Sequence, residues 1–179
     1  MAGLARSLAL LLALAASGCE RRAPNVILIS IDTLRADHVG SYGYSRDTTP
    51  ELDRFFAQGS VFENAISSAP CTIPAVQQLL RGCFETDMGR ETLALRLQRR
   101  GFATAAVVSQ HQFYKQPERY RSGFEHFDIQ DRGEVDLHGL SARGAREVSD
   151  RALAWLERAP ADRPFFLWLH YFDPHDPYQ

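Results

Sequence analysis

The apolar positions fall into three dense blocks separated by amphipathic stretches. Val26-Ile27-Leu28-Ile29-Ser30-Ile31 is a nearly unbroken β-branched run that ends at Asp32. A run that is apolar on both faces predicts a central strand of a parallel sheet. Residues 102–108 (FATAAVV) and 165–172 repeat the pattern, and Asp173-Pro174 closes the last block. Between the blocks lie helix signals. Thr49 is a good N-cap and Pro50 suits a first helical position, predicting a helix that stops near Gln58-Gly59. Pro74 is expected to open a second helix running to Arg81, and Thr92 to cap a third that Gly101 ends. Residues 141–158 form the clearest helix. Ala145, Val148, Ala152, Trp155 and Leu156 fall on one stripe, with Arg and Glu opposite. Residues 62–66 suggest a short extended piece, and residues 110–140 a long irregular excursion. This alternation predicts an α/β layered fold around a mostly parallel sheet, with right-handed crossovers.

The N-terminus has a different pattern. Arg6 precedes an uninterrupted apolar run over residues 8–16. A bilayer span needs roughly 20 residues, so the run fits a signal-peptide core instead. Ala16-Ser17-Gly18-Cys19 follows, small residues directly before a Cys. This resembles the bacterial lipoprotein cleavage box, and the resemblance implies cleavage before Cys19 and lipid attachment to its thiol. An ordinary secretory signal is the alternative. The expected organisation is a signal over 1–18, a tether over 19–24 and a catalytic portion over 25–179. The expected location is the bacterial cell envelope, reached by export and held by the anchor.

Composition narrows the function classes. The chain has 179 residues, 45% of them hydrophobic, enough for a packed core. Its 20 basic and 22 acidic residues nearly balance, which excludes a protein that tracks nucleic acid by bulk charge. Cys71 and Cys83 flank a helix signal whose length would keep them apart, so two free, mostly buried thiols are expected.

In open parallel sheets, ligands bind beyond the carboxyl ends of the strands. Asp32 ends the first strand there. His170, Asp173, His175 and Asp176 cluster at the end of the third. Thr72 precedes a helix N-terminus expected at the same edge, where backbone N–H groups favour anions.

The strings around these residues resemble the sulfatase family of the alkaline phosphatase superfamily. Asn25 to His38 (NVILISIDTLRADH) is similar to the family's opening, as are Tyr42-Gly43-Tyr44 and Thr49-Pro50-Glu51-Leu52-Asp53. Phe62-Glu63-Asn64-Ala65, Pro70-Cys71-Thr72-Ile73-Pro74-Ala75 ahead of Leu79-Leu80-Arg81-Gly82, Gly101 to Ala105, and Phe172 to Tyr178 (FDPHDPY) follow in order. The resemblance implies that Asp32 is a metal ligand and that Thr72 stands at the nucleophile position and on the metal. His175 would be the histidine that contacts the sulfate or phosphate ester. One divalent metal is implied: Ca, Mg, Mn or Zn.

Departures matter as well. Thr33 stands where the family often has a second Asp. Formylglycine-type sulfatases have Cys or Ser two before the Pro and Arg two after it, whereas this chain has Thr72 and Val76, so no formylglycine is expected. The family's second ligand pair, an Asp followed by His or Asn before Gly, has no counterpart within residues 25–179, which resemble the front part of the catalytic domain and leave the sheet incomplete at its C-terminal side. Three functions follow. One is a metal-dependent hydrolase of sulfate or phosphate esters on a small molecule, glycan or lipid. The second is a phospho-group transferase acting on envelope acceptors. The third is a truncated, non-catalytic fragment. As alternatives at single residues, Thr72 is a plain helix-entry hydroxyl and His175 a loop histidine between two prolines. His170 is read as packing, Asp37-His38 as a loop pair rather than ligands, and Arg35 as part of a structural ion pair.

Overall fold

The computed structural model describes residues 22–84, 89–109, 113, 117–129 and 143–175. Cys19 and the signal segment, Gln110, His111, His138 and Asp176 lie outside the described residues. Four parallel strands form one sheet: β1 (Val26–Ile31), β2 (Ala103–Val108), β3 (His126–Ile129) and β4 (Phe165–Tyr171). Their spatial order is β1-β4-β2-β3. Among the described residues five α-helices accompany them: α1 (Pro50–Phe56), α2 (Thr72–Arg81), α3 (Leu93–Gln98), α4 (Glu118–Arg121) and α5 (Ala145–Leu156). Among the described residues, no helix is long and apolar enough to cross a membrane.

Period-two alternation sorts the strands into two faces. Phe166 and Trp168 of β4, with Ala106 and Val108 of β2, share one core with Val76 and Leu80 of α2, Ala94 of α3 and Tyr120 of α4. Leu167, Leu169, Ala105 and Val107 point the other way and pack under α5 through Val148 and Ala152, with Trp155 and Leu156 at the margin. The stripe read from the sequence is the face that α5 buries. The sheet is therefore covered on both sides at β2 and β4, as the unbroken apolar runs require.

Several expectations need correction. Among the described residues β1 lies at the edge of the sheet rather than within it, with β4 as its only ladder partner. Its apolar run still makes sense on one face, where Val26 and Leu28 pack against the α2 side of the core. No strand forms at residues 62–66, which are turn and coil. Two elements emerge where irregular chain was expected, α4 and β3. Both are short, four residues each, below what periodicity can resolve. Helix α2 begins at Thr72, two residues before Pro74, with extended Cys71 as N-cap. Proline is tolerated there because the first turn's N–H groups have no intrahelical partner. Helix α5 starts at Ala145 rather than at residue 141, since Gly144 is extended and serves as N-cap. Thr49 does not cap α1 with its side chain. Its hydroxyl instead accepts from Gly40 N–H (3.0 Å) and donates to Asp53 (2.9 Å), tying the loop after β1 to the helix. Thr92 does cap α3, accepting from Leu95 N–H at 3.1 Å, and Gly101 ends that segment at φ +86°.

Candidate active site

The C-terminal ends of β1 and β4 and the first turn of α2 meet at one cleft of about 1050 Å³, lined by Ser30, Asp32, Cys71, Thr72, His170 and His175, among others. The arrangement follows from the packing. Ser30 lies on the same face of β1 as Val26 and Leu28, and Asp32, two positions on, follows that period. Burial of Val76 and Leu80 against that same face fixes α2, and its N-terminus then falls at the strand ends. Asp32 N–H extends the ladder by one bond to the Tyr171 carbonyl, at 2.9 Å.

Thr72 and Asp32, 40 residues apart, are in direct contact. The Thr72 hydroxyl donates to the carboxylate at 3.1 Å from Oδ1 and 2.9 Å from Oδ2. The Asp32 side chain is 9% exposed, and the only ion-pair partner found for it among the described residues is His170, with Nε2 3.8 Å from Oδ2. His170 is itself 1% exposed. Burial pushes its imidazolium form down in pKa, and the opposing pull of Asp32 does not restore it. A nearly buried carboxylate therefore faces the cleft beside a neutral ring. That environment suits a cation. Among the described residues no group of three or more His, Cys, Asp or Glu could hold a metal ion.

The residue directly after Asp32 is strained. Thr33 has φ +53°, the only positive φ outside glycine among the described residues. Left-handed backbone is unusual for a β-branched residue. The turn it makes takes the chain off the strand end immediately after the acid.

His175 lines the same cleft. Its N–H donates to the Phe172 carbonyl at 2.8 Å, and its ring stacks on Phe172 with centroids 4.4 Å apart. Cys71 is exposed and Cys83 half-buried. The expectation of mostly buried thiols fails because Cys71 is the extended residue before α2, at the cleft wall.

Other candidates go elsewhere. Asp173 faces α5, accepting from Ala145 N–H at 2.8 Å, and so supplies the cap that Gly144 lacks. Asp37 is exposed and held by Arg35 (2.6 Å) and His38 (3.0 Å). The Arg35 guanidinium, then His38, hold its carboxyl well below the usual range. This confirms Arg35 in an ion pair and leaves Asp37-His38 outside the cleft. His126 is an exposed residue of β3. The residue that sequence reasoning placed in the core alone is His170. It packs as expected, but it also lines the cleft. The signal was present: Ser30, His170 and Asp32 follow one period-two face of two neighbouring strand ends.

The sulfatase family profile matches residues 24–179. The chain belongs to the sulfatase family. It is 29% identical over 120 residues to an arylsulfatase of Clostridium perfringens, covering 60% of this chain and 24% of that protein. It is 25% identical over 180 residues to an N-acetylglucosamine-6-O-sulfatase of Bacteroides thetaiotaomicron, covering 87% of this chain and 31% of that one. This sulfatase-family chain thus spans roughly a quarter to a third of the length of these two relatives. Among solved structures, it resembles the zinc complex of the C-terminal periplasmic domain of EptC from Escherichia coli, with TM-score 0.71 and 20% identity over 88% of this chain and 45% of that one. A phosphonate monoester hydrolase of Agrobacterium radiobacter gives 0.64 and 18% over 87% and 42%. These likenesses establish the alkaline phosphatase-type α/β fold.

Proposed function

We propose that this sulfatase-family chain carries the nucleophile of a metal-dependent hydrolase of sulfate or phosphate esters, with Thr72 as nucleophile. The observation that carries the reading is the Thr72 hydroxyl donating to both oxygens of Asp32 at the mouth of the cleft. An unactivated hydroxyl is a weak nucleophile at neutral pH, and an adjacent carboxylate and cation are the usual remedies. A divalent cation held by Asp32 and Thr72 would lower the pKa of the hydroxyl and offset charge on the ester. Asp32 is the acceptor already in contact with the Thr72 proton. Thr72 Oγ bonds to the sulfur or phosphorus, and the bond to the ester oxygen breaks. His175, on the same cleft wall, donates a proton to the leaving oxygen. Water then releases the sulfate or phosphate from Thr72 and restores its hydroxyl. Formylglycine has no part in this scheme. Transfer to an envelope acceptor differs only in what replaces that water.

Relatives named for aryl and sugar sulfates support a sulfated small molecule or glycan as substrate. Export and lipid attachment at Cys19 complete the reading, and the periplasmic origin of the EptC domain is in keeping with it.

The test uses the full chain with an aryl sulfate and an aryl phosphodiester, each with Mg²⁺, Mn²⁺, Ca²⁺ or Zn²⁺. Thr72→Ala is expected to lower kcat at least about a thousandfold, and Thr72→Ser to retain part of the activity. Turnover that survives Thr72→Ala removes Thr72 as nucleophile. No turnover with any metal overturns the catalytic reading.

A further inference from the structure

The proposed chemistry uses Asp32, Thr72 and His175 and leaves a buried imidazole beside them without a task. His170 lies opposite Ser30 in the β1–β4 ladder. Its Nδ1 is 2.8 Å from Ser30 Oγ, and the Trp168 indole N–H donates to that same oxygen at 3.0 Å. Phe113 meets the imidazole edge-on, with centroids 5.0 Å apart. The ring is thus fixed in position, yet among the described residues its buried Nε2 has no hydrogen-bond partner, and it lies 3.8 Å from Asp32 Oδ2.

Proton accounting gives this geometry a direction. An indole N–H only donates, so Ser30 Oγ must accept from Trp168. Ser30 has one proton of its own and two acceptors in reach: His170 Nδ1 at 2.8 Å and the Leu169 carbonyl at 3.2 Å. The nitrogen is closer, and a backbone carbonyl of a strand flanked on both sides already has a ladder partner. With the Ser30 hydroxyl donating to Nδ1, the neutral ring carries its proton on Nε2, the nitrogen nearer the carboxylate. The opposite tautomer would set a buried lone pair against a carboxylate oxygen, two acceptors face to face with nothing between them.

We propose that His170 is a positioning residue for Asp32: Ser30 and Trp168 fix the imidazole as its Nε2–H tautomer, and the Nε2–H dipole, 3.8 Å from Oδ2 and beyond hydrogen-bond length, electrostatically favours the carboxylate orientation that receives both a divalent cation and the Thr72 hydroxyl. Outer-shell donors to metal carboxylates commonly have this role. The inference rests on the reading of Asp32 as the metal carboxylate.

Two measurements on the full chain test it. Nitrogen NMR of ¹⁵N-histidine-labelled protein without metal should show His170 as the Nε2–H form; an Nδ1–H form overturns the proposal whatever the metal does. Titration calorimetry with Mn²⁺ alone compares His170→Gln, whose amide reaches the place of Nε2, with His170→Asn, whose amide reaches only the place of Nδ1. Thermal melts of both variants identify any that fails to fold. The expected result is a 10- to 100-fold loss of Mn²⁺ affinity in His170→Asn, in the usual range for outer-shell partners, and a change within about threefold in His170→Gln. Equal losses in both variants, as from a packing defect, or no loss in His170→Asn, overturn it. No Mn²⁺ binding by the unsubstituted chain overturns the reading of Asp32 and the proposal together. The tautomer result separates that failure from an error about His170 alone.

Discussion

Strands β1 and β4 lie side by side and look alike in sequence, but the protein supports them unequally. β4 is enclosed on both faces and both edges. Phe166 and Trp168 are fully buried on one side and Leu167 on the other. β1 has one bonded edge, none of its residues is buried, and Ile27 and Ile29 are 50% and 54% exposed. The cleft is built where these two strands end. β4 contributes a ring clamped by Ser30, Trp168 and Phe113, whereas β1 contributes the carboxylate. The orientation of Asp32 therefore depends less on its own strand than on what bonds it from outside, the Tyr171 carbonyl through its backbone and the Thr72 hydroxyl, with the His170 ring 3.8 Å away. A reactive group on a lightly packed strand end gains its precision from the neighbouring, fully packed one.

The largest effect expected from this contrast is at Trp168. Trp168→Ala should cost about 3–5 kcal/mol in chemical denaturation, since it removes the largest buried side chain and leaves a cavity. It also removes the donor to Ser30. A loss below about 1 kcal/mol would mean that β4 is not the rigid partner.

The next effect is a pH dependence set by His170. Its folded-state pKa is depressed by burial, so the native state binds this proton less readily than the unfolded chain does. Its stabilising contribution is present above the unfolded value of about 6.5 and is lost as pH falls from there toward the folded value. Each unit of depression corresponds to about 1.4 kcal/mol. Metal-free protein should show a falling melting temperature through this window, and His170→Gln should flatten that limb. An unchanged limb in the variant assigns it to other groups.

The sequence and the fold agree best where a single local rule decides. The three long strands, the α5 stripe and the Thr92 cap each follow from one pattern. Thr72 and Asp32 were legible as separate candidates because the ordered family strings mark both. What no local pattern carries is position within the sheet. An apolar run reads the same in an edge strand as in a central one, so β1 was misplaced although its residues were right. The short β3 and α4 were invisible because four residues are only two periods of strand and little more than one of helix. His170 was half legible: its apolar neighbours predicted burial, but its approach to Asp32 requires the β1–β4 register, which pairs Ser30 with it across 140 residues.

Thr33 offers a smaller test of the β1 end. Left-handed backbone costs an L-residue roughly 1–2 kcal/mol, whereas glycine gives back about 0.5–1 kcal/mol through its looser unfolded state. Thr33→Gly should therefore raise stability by about 0.5–1 kcal/mol in denaturant titration. A loss instead would show that the Thr33 side chain makes up for its own strain.

The smallest expected effect tests the comparison most directly. Ile27 and Leu167 are ladder partners on the same face of the sheet, one half exposed and the other fully buried. Threonine keeps the β-branch, so Ile27→Thr changes mainly apolar contact and should cost about 0.5 kcal/mol or less, given that a fully buried CH₂ is worth about 0.8 kcal/mol. Leu167→Thr should cost several times more, because it loses packing and buries a hydroxyl beneath α5. A difference of that size between two adjacent residues, measured by the same denaturant titration, would establish that the face under α5 is stabilised at β4 and left open at β1. Equal and large losses would mean that the face of β1 is covered in solution. Asp32 would then sit at the end of a strand as well packed as β4, and would have less need of His170 to hold it.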